Sequence, residues 1–188
     1  ERETRRIDLP ARTGDVWHGL LPGAGAGMVY GLRAHGRWAP AEAQRFNPNK
    51  LLLDPWACEI VGRFEWRDEH FGFDPARPEQ MDLRDNARWA LKARVVAEAS
   101  AMPAARAEPV PIDDTVLYEL HVRGFTQRHP GVPEALRGTY AGLASDAAIA
   151  HLRSLGVTAV CLLPVHQHLD EQRLQMLGLS NYWGYNTI

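Results

Sequence analysis

The chain of 188 residues is long enough for one domain or two small ones, and its 45% apolar content can supply a core. Its 21 basic and 23 acidic residues give a formal charge of −2, which excludes the basic footprint of a duplex-binding domain. No apolar run approaches the ~20 residues of a membrane-spanning helix, and the charged start lacks the apolar segment of a signal peptide. Cys58 and Cys161 lie far apart and are predicted to be buried free thiols. These features predict a cytoplasmic protein without nucleic-acid or membrane partners.

The N-terminal half of the chain alternates short apolar runs with turn signals. Residues 17–21 (WHGLL) and 28–36 (MVYGLRAHG) flank the run PGAGAG, which predicts two strands joined by a glycine-rich turn. The glycine run lacks the Lys-Ser/Thr pair and the following helix of a phosphate-binding loop. Further on, Pro48 and Pro55 bracket the letters LLLD, which predicts a short buried segment between two layers.

Composition changes near residue 105. The segment from Met81 to Ala107 is polar and rich in Ala and Arg, and Pro109 and Pro111 favour extended backbone just after it. The stretch MPAARAEPVP (102–111), which contains both prolines, is therefore predicted to be a linker or domain boundary. We place the boundary between a first module of residues 1–105 and a second domain of residues 106–188.

The residues after this boundary alternate strand and helix patterns. Residues 115–122 (TVLYELHV) are β-branched and aromatic, and residues 157–165 (VTAVCLLPV) form the apolar run of a parallel strand buried on both faces. Between them, SDAAIAHLRSLG is predicted to be a helix, with Ser145 as N-cap and Gly156 at its C-terminal end. These elements predict one β-α-β unit and therefore the start of an α/β domain.

Two long connections follow the predicted strands. Residues 123–144 show no obvious periodicity, and residues 166–185 form a second long segment. Connections of such length are usually functional or disordered. In a barrel of parallel strands, the loops after the strand carboxyl ends form the active-site face, so both connections are expected to lie there.

Four sequence motifs, which occur in a fixed order, narrow the possible protein family. They are YELHVRGFT (118–126), RGTYAGL (137–143), HLRSLGVTAVCLLPVH (151–166) and NYWGYNT (181–187). Together they resemble the start of the catalytic barrel of the α-amylase superfamily, and more narrowly the bacterial glycogen debranching enzymes of the isoamylase type. Upstream, residues 21–57 resemble the β-sandwich, glycan-binding-type module of these enzymes, and residues 85–96 resemble their connecting segment.

The resemblance implies a multi-domain protein with β and α/β parts. These are an incomplete β-sandwich module and the first β-α-β of a TIM (β/α)8 barrel. A complete barrel takes about 250 residues, far more than follow position 114. We therefore expect the chain to be an N-terminal fragment, with an open barrel edge available for self-association.

The reaction implied by the resemblance is hydrolysis of α-1,6-glucosidic branch linkages in glycogen or limit dextrin, both of which are α-glucans. Retaining glycosidases use a nucleophile and an acid/base whose carboxyl groups lie about 5–5.5 Å apart. The resemblance places these carboxylates beyond Ile188, so no catalytic residue is expected in this chain, which alone should be inactive. Glu119 lies within the first predicted strand and is interpreted as structural. The chemical step requires no cofactor and no metal.

The candidate sugar contacts lie in the last predicted loop. The resemblance assigns stacking on a sugar to Tyr185, because an aromatic ring packs against the apolar C–H face while the phenol stays hydrogen-bonded. Trp183 and Asn186 are the further candidates for substrate binding. The alternative for Tyr185 is a core aromatic that closes the barrel mouth, and Tyr182 and Trp183 have a structural interpretation as well.

A metal site is the alternative reading of the residues after the second strand. His166, His168 and Asp170 alternate along the chain, which would place them on one side as ligation requires, and Glu171 follows. Because no third ligand is firmly placed, they are interpreted as polar loop residues.

Two other functions stay open. The chain could be a non-catalytic α-glucan-binding protein, or belong to another member of the superfamily that acts on α-1,4 linkages. A binding protein would use a stacking platform of aromatic side chains, for which the candidates are Trp17, Tyr30, Trp38 and Trp56.

Overall fold

The computed structural model describes residues 3–97 and 110–188, and the chain divides into two compact units, Glu1–Met102 and Pro103–Ile188. The predicted boundary between residues 105 and 106 lies outside the described residues. The first unit consists of short strands, whereas the second combines a parallel strand pair with short helices.

The N-terminal unit is built from short antiparallel strands. They are β1 (Ala11–Thr13), β2 (Val16–His18), β3 (Val29–Tyr30), β4 (Trp38–Ala39), β5 (Gln44–Arg45), β6 (Ile60–Val61), β7 (Phe73–Asp74), β8 (Arg77–Met81) and β9 (Lys92–Arg94). Three two-stranded sheets are formed, by β1 with β2, β4 with β5, and β7 with β8. A three-stranded sheet has β9 at its centre, flanked by β3 and β6. Two 3-10 helices, Pro40–Glu42 and Asp68–His70, lie between strands. This mostly-sheet organisation fits the predicted β-sandwich module.

The pairing around the glycine-rich turn differs from the prediction. β2 pairs with β1, and β3 pairs with β9, where Val29 lies opposite Arg94. Gly23 and Gly27 have φ angles of 79° and 91°, so the chain does turn here, but the turn joins two separate sheets. A glycine run indicates where a chain turns; the choice of partner strand depends on residues far along the sequence.

The polar segment that starts at Met81 contains regular structure ahead of the predicted linker, and most of that linker lies outside the described residues. In this segment β9 forms the centre of the three-stranded sheet, and Ala93 is fully buried there. Ala90 and Leu91 are buried just before it. The buried residues of this stretch are small or apolar, so a segment that looks polar by composition still supplies a central strand.

The LLLD segment is less buried than the sequence predicted. Leu52 pairs through its backbone with Leu32, yet its side chain is 45% exposed. The burial of this region comes instead from the polar side chains of Asn47 and Lys50.

The C-terminal unit contains the predicted β-α-β unit. Its elements are β10 (Leu117–Leu120), α1 (Val122–Thr126), α2 (Tyr140–Leu143), α3 (Asp146–Ser154), β11 (Ala159–Leu162) and α4 (Gln172–Met176), with 3-10 helices at Ile112–Asp114 and Glu134–Leu136. β10 and β11 are parallel, with Leu117 opposite Ala159. The buried residues of this unit are Leu120, Thr126, Val132, Gly142, Ala148, Leu152 and Gly184.

Helix α3 begins and ends as its sequence predicts. The Ser145 hydroxyl accepts a hydrogen bond from the Ala148 N–H at 3.4 Å and donates to the Gly142 carbonyl at 2.7 Å. At the other end Gly156 adopts a φ of 75°, the left-handed conformation that commonly terminates helices. Ala148 and Leu152, on one helical face, are buried.

Two expectations for the second unit are wrong. The connection from residue 123 to residue 144 is not irregular, since it includes most of α1 and all of α2. Helices of four or five residues escape a periodicity test that spans three turns. Strand β11 is not buried on both faces, since Val160 is 44% exposed and Cys161 is exposed. The prediction that both thiols are buried is also wrong, because Cys58 in the first unit is exposed as well. Within the described residues β11 pairs with β10 alone, so much of its surface stays uncovered.

Candidate functional site

An aromatic cluster lies at the carboxyl end of β10. We define it as His121, which directly follows the strand, together with Tyr182 and Trp183. The rings of His121 and Tyr182 stack with their centroids 4.4 Å apart and their planes at 9°. Trp183 packs edge-on against both rings, at 5.7 Å from His121 and 5.4 Å from Tyr182. The cluster therefore joins the end of a strand to a loop residue that lies sixty-one positions later in the sequence.

The loop that carries Tyr182 and Trp183 is fixed by Asn181. The Asn181 Oδ1 accepts from the Gly184 N–H at 2.8 Å, and the Asp170 carboxylate accepts from the Asn181 N–H at 2.6 Å. Glu171 accepts from the Asn181 side-chain amide at 3.2 Å. Gly184 is buried with a φ of 81°, and a Cβ there would lie 3.2 Å from the Pro164 carbonyl oxygen. The turn therefore requires glycine at this position.

The residues after this turn lie antiparallel to residues 167–169. The Leu169 N–H donates to the Asn186 carbonyl at 2.9 Å, and the Ile188 N–H donates to the Gln167 carbonyl at 3.1 Å. The Asn186 side-chain amide donates to the Leu169 carbonyl at 3.0 Å. Both ends of the Tyr182–Tyr185 loop are thus anchored to the segment that follows β11.

The structure exposes two of the three predicted sugar contacts. Tyr185 is 65% exposed and Trp183 is 55% exposed, so each ring offers a face to a ligand. Asn186 is half-buried, and its amide holds the loop rather than pointing to solvent. The sequence reasoning missed His121. The signal it could have used is the position of the histidine, one residue after a strand and at the N-cap of a helix.

The two acidic residues considered as metal ligands hold the same loop. Asp170 and Glu171 both accept hydrogen bonds from Asn181, and the His168 Nδ1 lies 3.4 Å from the His166 carbonyl oxygen. Among residues 3–97 and 110–188, no group of three or more His, Cys, Asp or Glu side chains is arranged to hold a metal ion. In the same part of the chain, no helix has the length and apolarity to span a membrane.

The aromatic side chains proposed as a platform in the first unit differ in their environments. Trp17 is 60% exposed and Trp56 is 88% exposed. Trp38 is half-buried and donates its indole N–H to the Glu79 carbonyl at 2.9 Å. Tyr30 donates to Asp54 at 2.7 Å, and this hydrogen bond, with burial, raises the pKa of Tyr30 to about 12. Only Trp17 and Trp56 of these four therefore present largely open rings.

A buried polar network lies inside the first unit. Lys50 donates to the carbonyl oxygens of Glu69 and Arg84, each at 2.8 Å, and its ammonium lies 3.7 Å from the Asp82 carboxylate. Burial lowers the pKa of Lys50. The Arg84 guanidinium binds Asp82 at 2.6 Å and lowers the pKa of that carboxyl. This network binds backbone groups of distant loops, so its role is to hold the unit together.

The comparisons with known proteins agree with this organisation. Residues 1–57 match the family model described as carbohydrate-binding module 48 (isoamylase N-terminal domain). The chain is 50% identical over 186 residues to a glycogen debranching enzyme of Yersinia enterocolitica serotype O:8 / biotype 1B, covering 97% of this chain and 27% of the relative. It is 48% identical to the protein of that name from Yersinia pseudotuberculosis serotype IB (strain PB1/+), and 47% identical to that from Yersinia pestis bv. Antiqua (strain Angola). Each of these covers 99% of this chain and 28% of the relative.

These comparisons confirm the resemblance to bacterial glycogen debranching enzymes over nearly the whole chain. The chain spans little more than a quarter of the length of these relatives. The match of residues 1–57 supports a carbohydrate-binding type of module in the first unit.

Proposed function

Because the chain is homologous over nearly its whole length to glycogen debranching enzymes, we propose that it forms part of an enzyme that hydrolyses α-1,6-glucosidic branch linkages of glycogen or limit dextrin. The observation that carries the proposal is the identity of 47–50% over 97–99% of the chain. The reaction in this proposal is a double displacement with retention, for which two carboxyl groups flank the scissile bond.

The parallel pair β10 and β11 supports a place for this chain at the sugar site. In TIM barrels the active site lies at the carboxyl ends of the strands, and the loops after those strands build it. We propose that β10 and β11 are two strands of such a barrel. The aromatic cluster and Tyr185 follow their carboxyl ends, on the side where the proposed substrate would bind.

Tyr185 is the residue that we assign to the sugar. Its exposed ring can cover the apolar face of a glucosyl unit while its hydroxyl hydrogen-bonds to a sugar hydroxyl. Trp183 is exposed nearby in the sequence and is a second candidate surface for the sugar chain. The chain's contribution to catalysis in this proposal is binding and orientation of the glucan.

The first unit supplies a second candidate glucan contact. A module of the carbohydrate-binding type covers residues 1–57, and Trp17 and Trp56 expose their rings. Exposed aromatic rings stack on sugars, so this module would hold the α-glucan while the barrel acts on a branch.

The test uses the full-length protein that the gene encodes. We expect it to release linear chains from branched limit dextrin and to leave linear α-1,4 oligosaccharides uncut, as measured by reducing ends and chain-length profiles. Residues 1–188 alone should release nothing. Cleavage of linear substrates alone would favour the α-1,4 alternative, and glucan binding without any hydrolysis would favour the non-catalytic binding protein.

Substitution of Tyr185 tests the role of its ring. The variant Tyr185→Ala should lower kcat/KM for limit dextrin about tenfold, since a stacked ring contributes about 1.5 kcal/mol. Tyr185→Phe should keep most of the activity because it keeps the ring. The control is Tyr140→Ala in α2, a tyrosine of similar exposure at 62%. Equal loss in both alanine variants would argue against a sugar contact at Tyr185.

A further inference from the structure

We propose that His121 is a positioning residue that fixes the Tyr182–Tyr185 loop to the carboxyl end of β10, and so places Tyr185 for the sugar. This inference rests on the proposed function. His121 itself does not touch the substrate in this proposal, because its two ring nitrogens are both engaged by the protein.

The hydrogen bonds of His121 define one tautomer. Its Nδ1 lies 3.0 Å from the Gly124 backbone N–H, which can only donate, so Nδ1 must accept and carries no proton. The Nε2 lies 2.8 Å from the Tyr182 carbonyl oxygen, which can only accept, so Nε2 must carry the proton and donate. The neutral ring with its proton on Nε2 is the form that satisfies both partners. A doubly protonated ring would place an N–H against the N–H of Gly124.

Packing reinforces this connection. The imidazole and the Tyr182 ring stack at 4.4 Å, and Gly124 leaves room for the tyrosine, since a Cβ there would lie 3.0 Å from its hydroxyl oxygen. His121 thus holds Tyr182 by one hydrogen bond and one stacked face. The same residue caps helix α1 through Gly124.

The position of Tyr185 follows from two anchors. Its loop is tied on one side to the segment after β11, through Asn181 and Asn186. On the other side, His121 ties the loop to β10. Between Tyr182 and Tyr185 lie Trp183 and the buried Gly184, whose turn is set by Asn181. Without the His121 anchor the loop is attached only to the segment after β11. The ring of Tyr185 then loses its fixed position relative to the carboxyl end of β10.

Two variants separate the anchor from the helix cap. In His121→Asn the side-chain oxygen can take the place of Nδ1 and keep the Gly124 cap, but it cannot reach the Tyr182 carbonyl. In His121→Gln the terminal amide N–H can take the place of Nε2 and keep the Tyr182 hydrogen bond, while the cap is lost. Measured on the full-length protein with limit dextrin, we expect kcat/KM to fall about fivefold in His121→Asn, the effect of one average hydrogen bond. His121→Gln should stay within about twofold of the wild type.

A matched control is available in the same unit. The His129 Nδ1 accepts from the Gly131 backbone N–H at 3.2 Å, so it makes the same kind of ring-to-backbone hydrogen bond in a turn outside the aromatic cluster. His129→Asn should leave kcat/KM unchanged. The opposite ranking, with His121→Gln impaired and His121→Asn active, would show that His121 acts only as a helix cap and would overturn the proposal.

A measurement independent of catalysis keeps this inference distinct from the proposed function. Nitrogen-15 NMR of the histidine rings in the full-length protein should show His121 at neutral pH with its proton on Nε2. A proton on Nδ1, or on both nitrogens, would overturn the anchor whatever the enzyme cleaves. If the tautomer is as expected and branched glucan is not hydrolysed, the proposed function fails while the anchor stands.

Discussion

The N-terminal unit buries charged and amide side chains, whereas the C-terminal unit buries mainly apolar ones. Among the described residues of the first unit, the buried polar ones are Asn47, Lys50, Asp82 and Asn86, and the buried apolar ones are Ala90, Leu91 and Ala93. In the second unit the buried side chains are Leu120, Val132, Ala148 and Leu152, with Thr126 as the polar member. The two parts of one chain thus reach stability by different routes.

The difference follows from the length of the strands. Most strands of the first unit have two or three residues, so they pair few backbone groups with each other. Buried backbone groups must nevertheless be hydrogen-bonded. Asn47 donates to the carbonyls of Gly72 and Asp82, and Asn86 accepts from the Leu51 N–H at 2.6 Å. In the second unit a nine-residue helix and a parallel ladder satisfy these groups, and apolar side chains can fill the interior.

The largest effect is expected from Lys50→Met. The substitution keeps the length of the side chain but leaves two loop carbonyls and the Asp82 carboxylate without the ammonium. Loss of one partner in a buried polar network costs about 3 kcal/mol of unfolding free energy. Urea unfolding followed by tryptophan fluorescence measures this, since all but one of the six tryptophans precede residue 90.

Lys92→Met is the control for that variant. Lys92 lies in the same unit, is only half-buried, and donates to the Ala90 carbonyl at 3.0 Å. Its substitution should cost less than about 1 kcal/mol, the value of an ordinary hydrogen bond. Equal losses in the two variants would mean that the buried network does not hold the first unit together.

An intermediate effect is expected from Val132→Ala in the second unit. Val132 is 1% exposed, so removal of two methyl groups loses apolar burial and leaves a cavity, at about 2 kcal/mol. Val160→Ala in β11 removes the same atoms where the side chain is 44% exposed, and should cost less than half as much. Hydrogen exchange in α3 and its neighbours measures both variants. A larger loss at Val160 would show that apolar burial is not concentrated around Val132.

The smallest effect is a pH dependence confined to the first unit. Burial lowers the pKa of His70 below its usual 6.5. The hydrogen bond to the Glu65 carbonyl and the charge of Glu69 oppose that shift, while Lys50 and Arg67 add to it. The Nε2 of His70 lies 2.9 Å from the Glu65 carbonyl, and the Asn86 amide lies 3.4 Å from its Nδ1. Both contacts suit a neutral ring.

The sign of this dependence follows from proton binding. Between the lowered pKa and about pH 6.5 the unfolded chain binds more protons at His70 than the folded unit does. The contribution of the neutral ring is therefore complete above about pH 6.5 and is lost as the pH falls towards the lowered pKa. Unfolding curves from pH 7.5 to 5.5 should show a steeper loss of stability for the wild type than for His70→Gln. If stability fell equally with pH in both proteins, His70 would not be the cause of the pH dependence.

The sequence predicted best where local chemistry decides. Ser145 and Gly156 mark the ends of α3 because an N-cap hydroxyl and a left-handed glycine act on their immediate neighbours. The apolar runs around Leu117 and Ala159 are strands, and they pair in parallel as the β-α-β pattern predicts. The motifs that carried the family resemblance are also local, and the comparisons confirm that resemblance over 97–99% of the chain.

The candidate site was predicted in part. The sequence selected Tyr185 and Trp183, and the structure exposes both rings, which is necessary for sugar stacking but does not by itself test it. It also selected Asn186, whose amide is bound to Leu169. It gave no role to His121, because the importance of that residue arises from a contact with Tyr182, sixty-one residues later.

The sequence by itself determined the local elements, the caps of α3 and the resemblance of the chain to glycogen debranching enzymes. Each of these depends on residues that lie close together or on short motifs in a fixed order along the sequence. The tertiary structure decided which strands pair, why a polar-looking segment supplies the central strand β9, and how His121 meets the aromatic loop. The physical reason is the same in each case. Strand pairing and side-chain stacking depend on free energies between distant residues, and neither periodicity nor composition of a short window contains them.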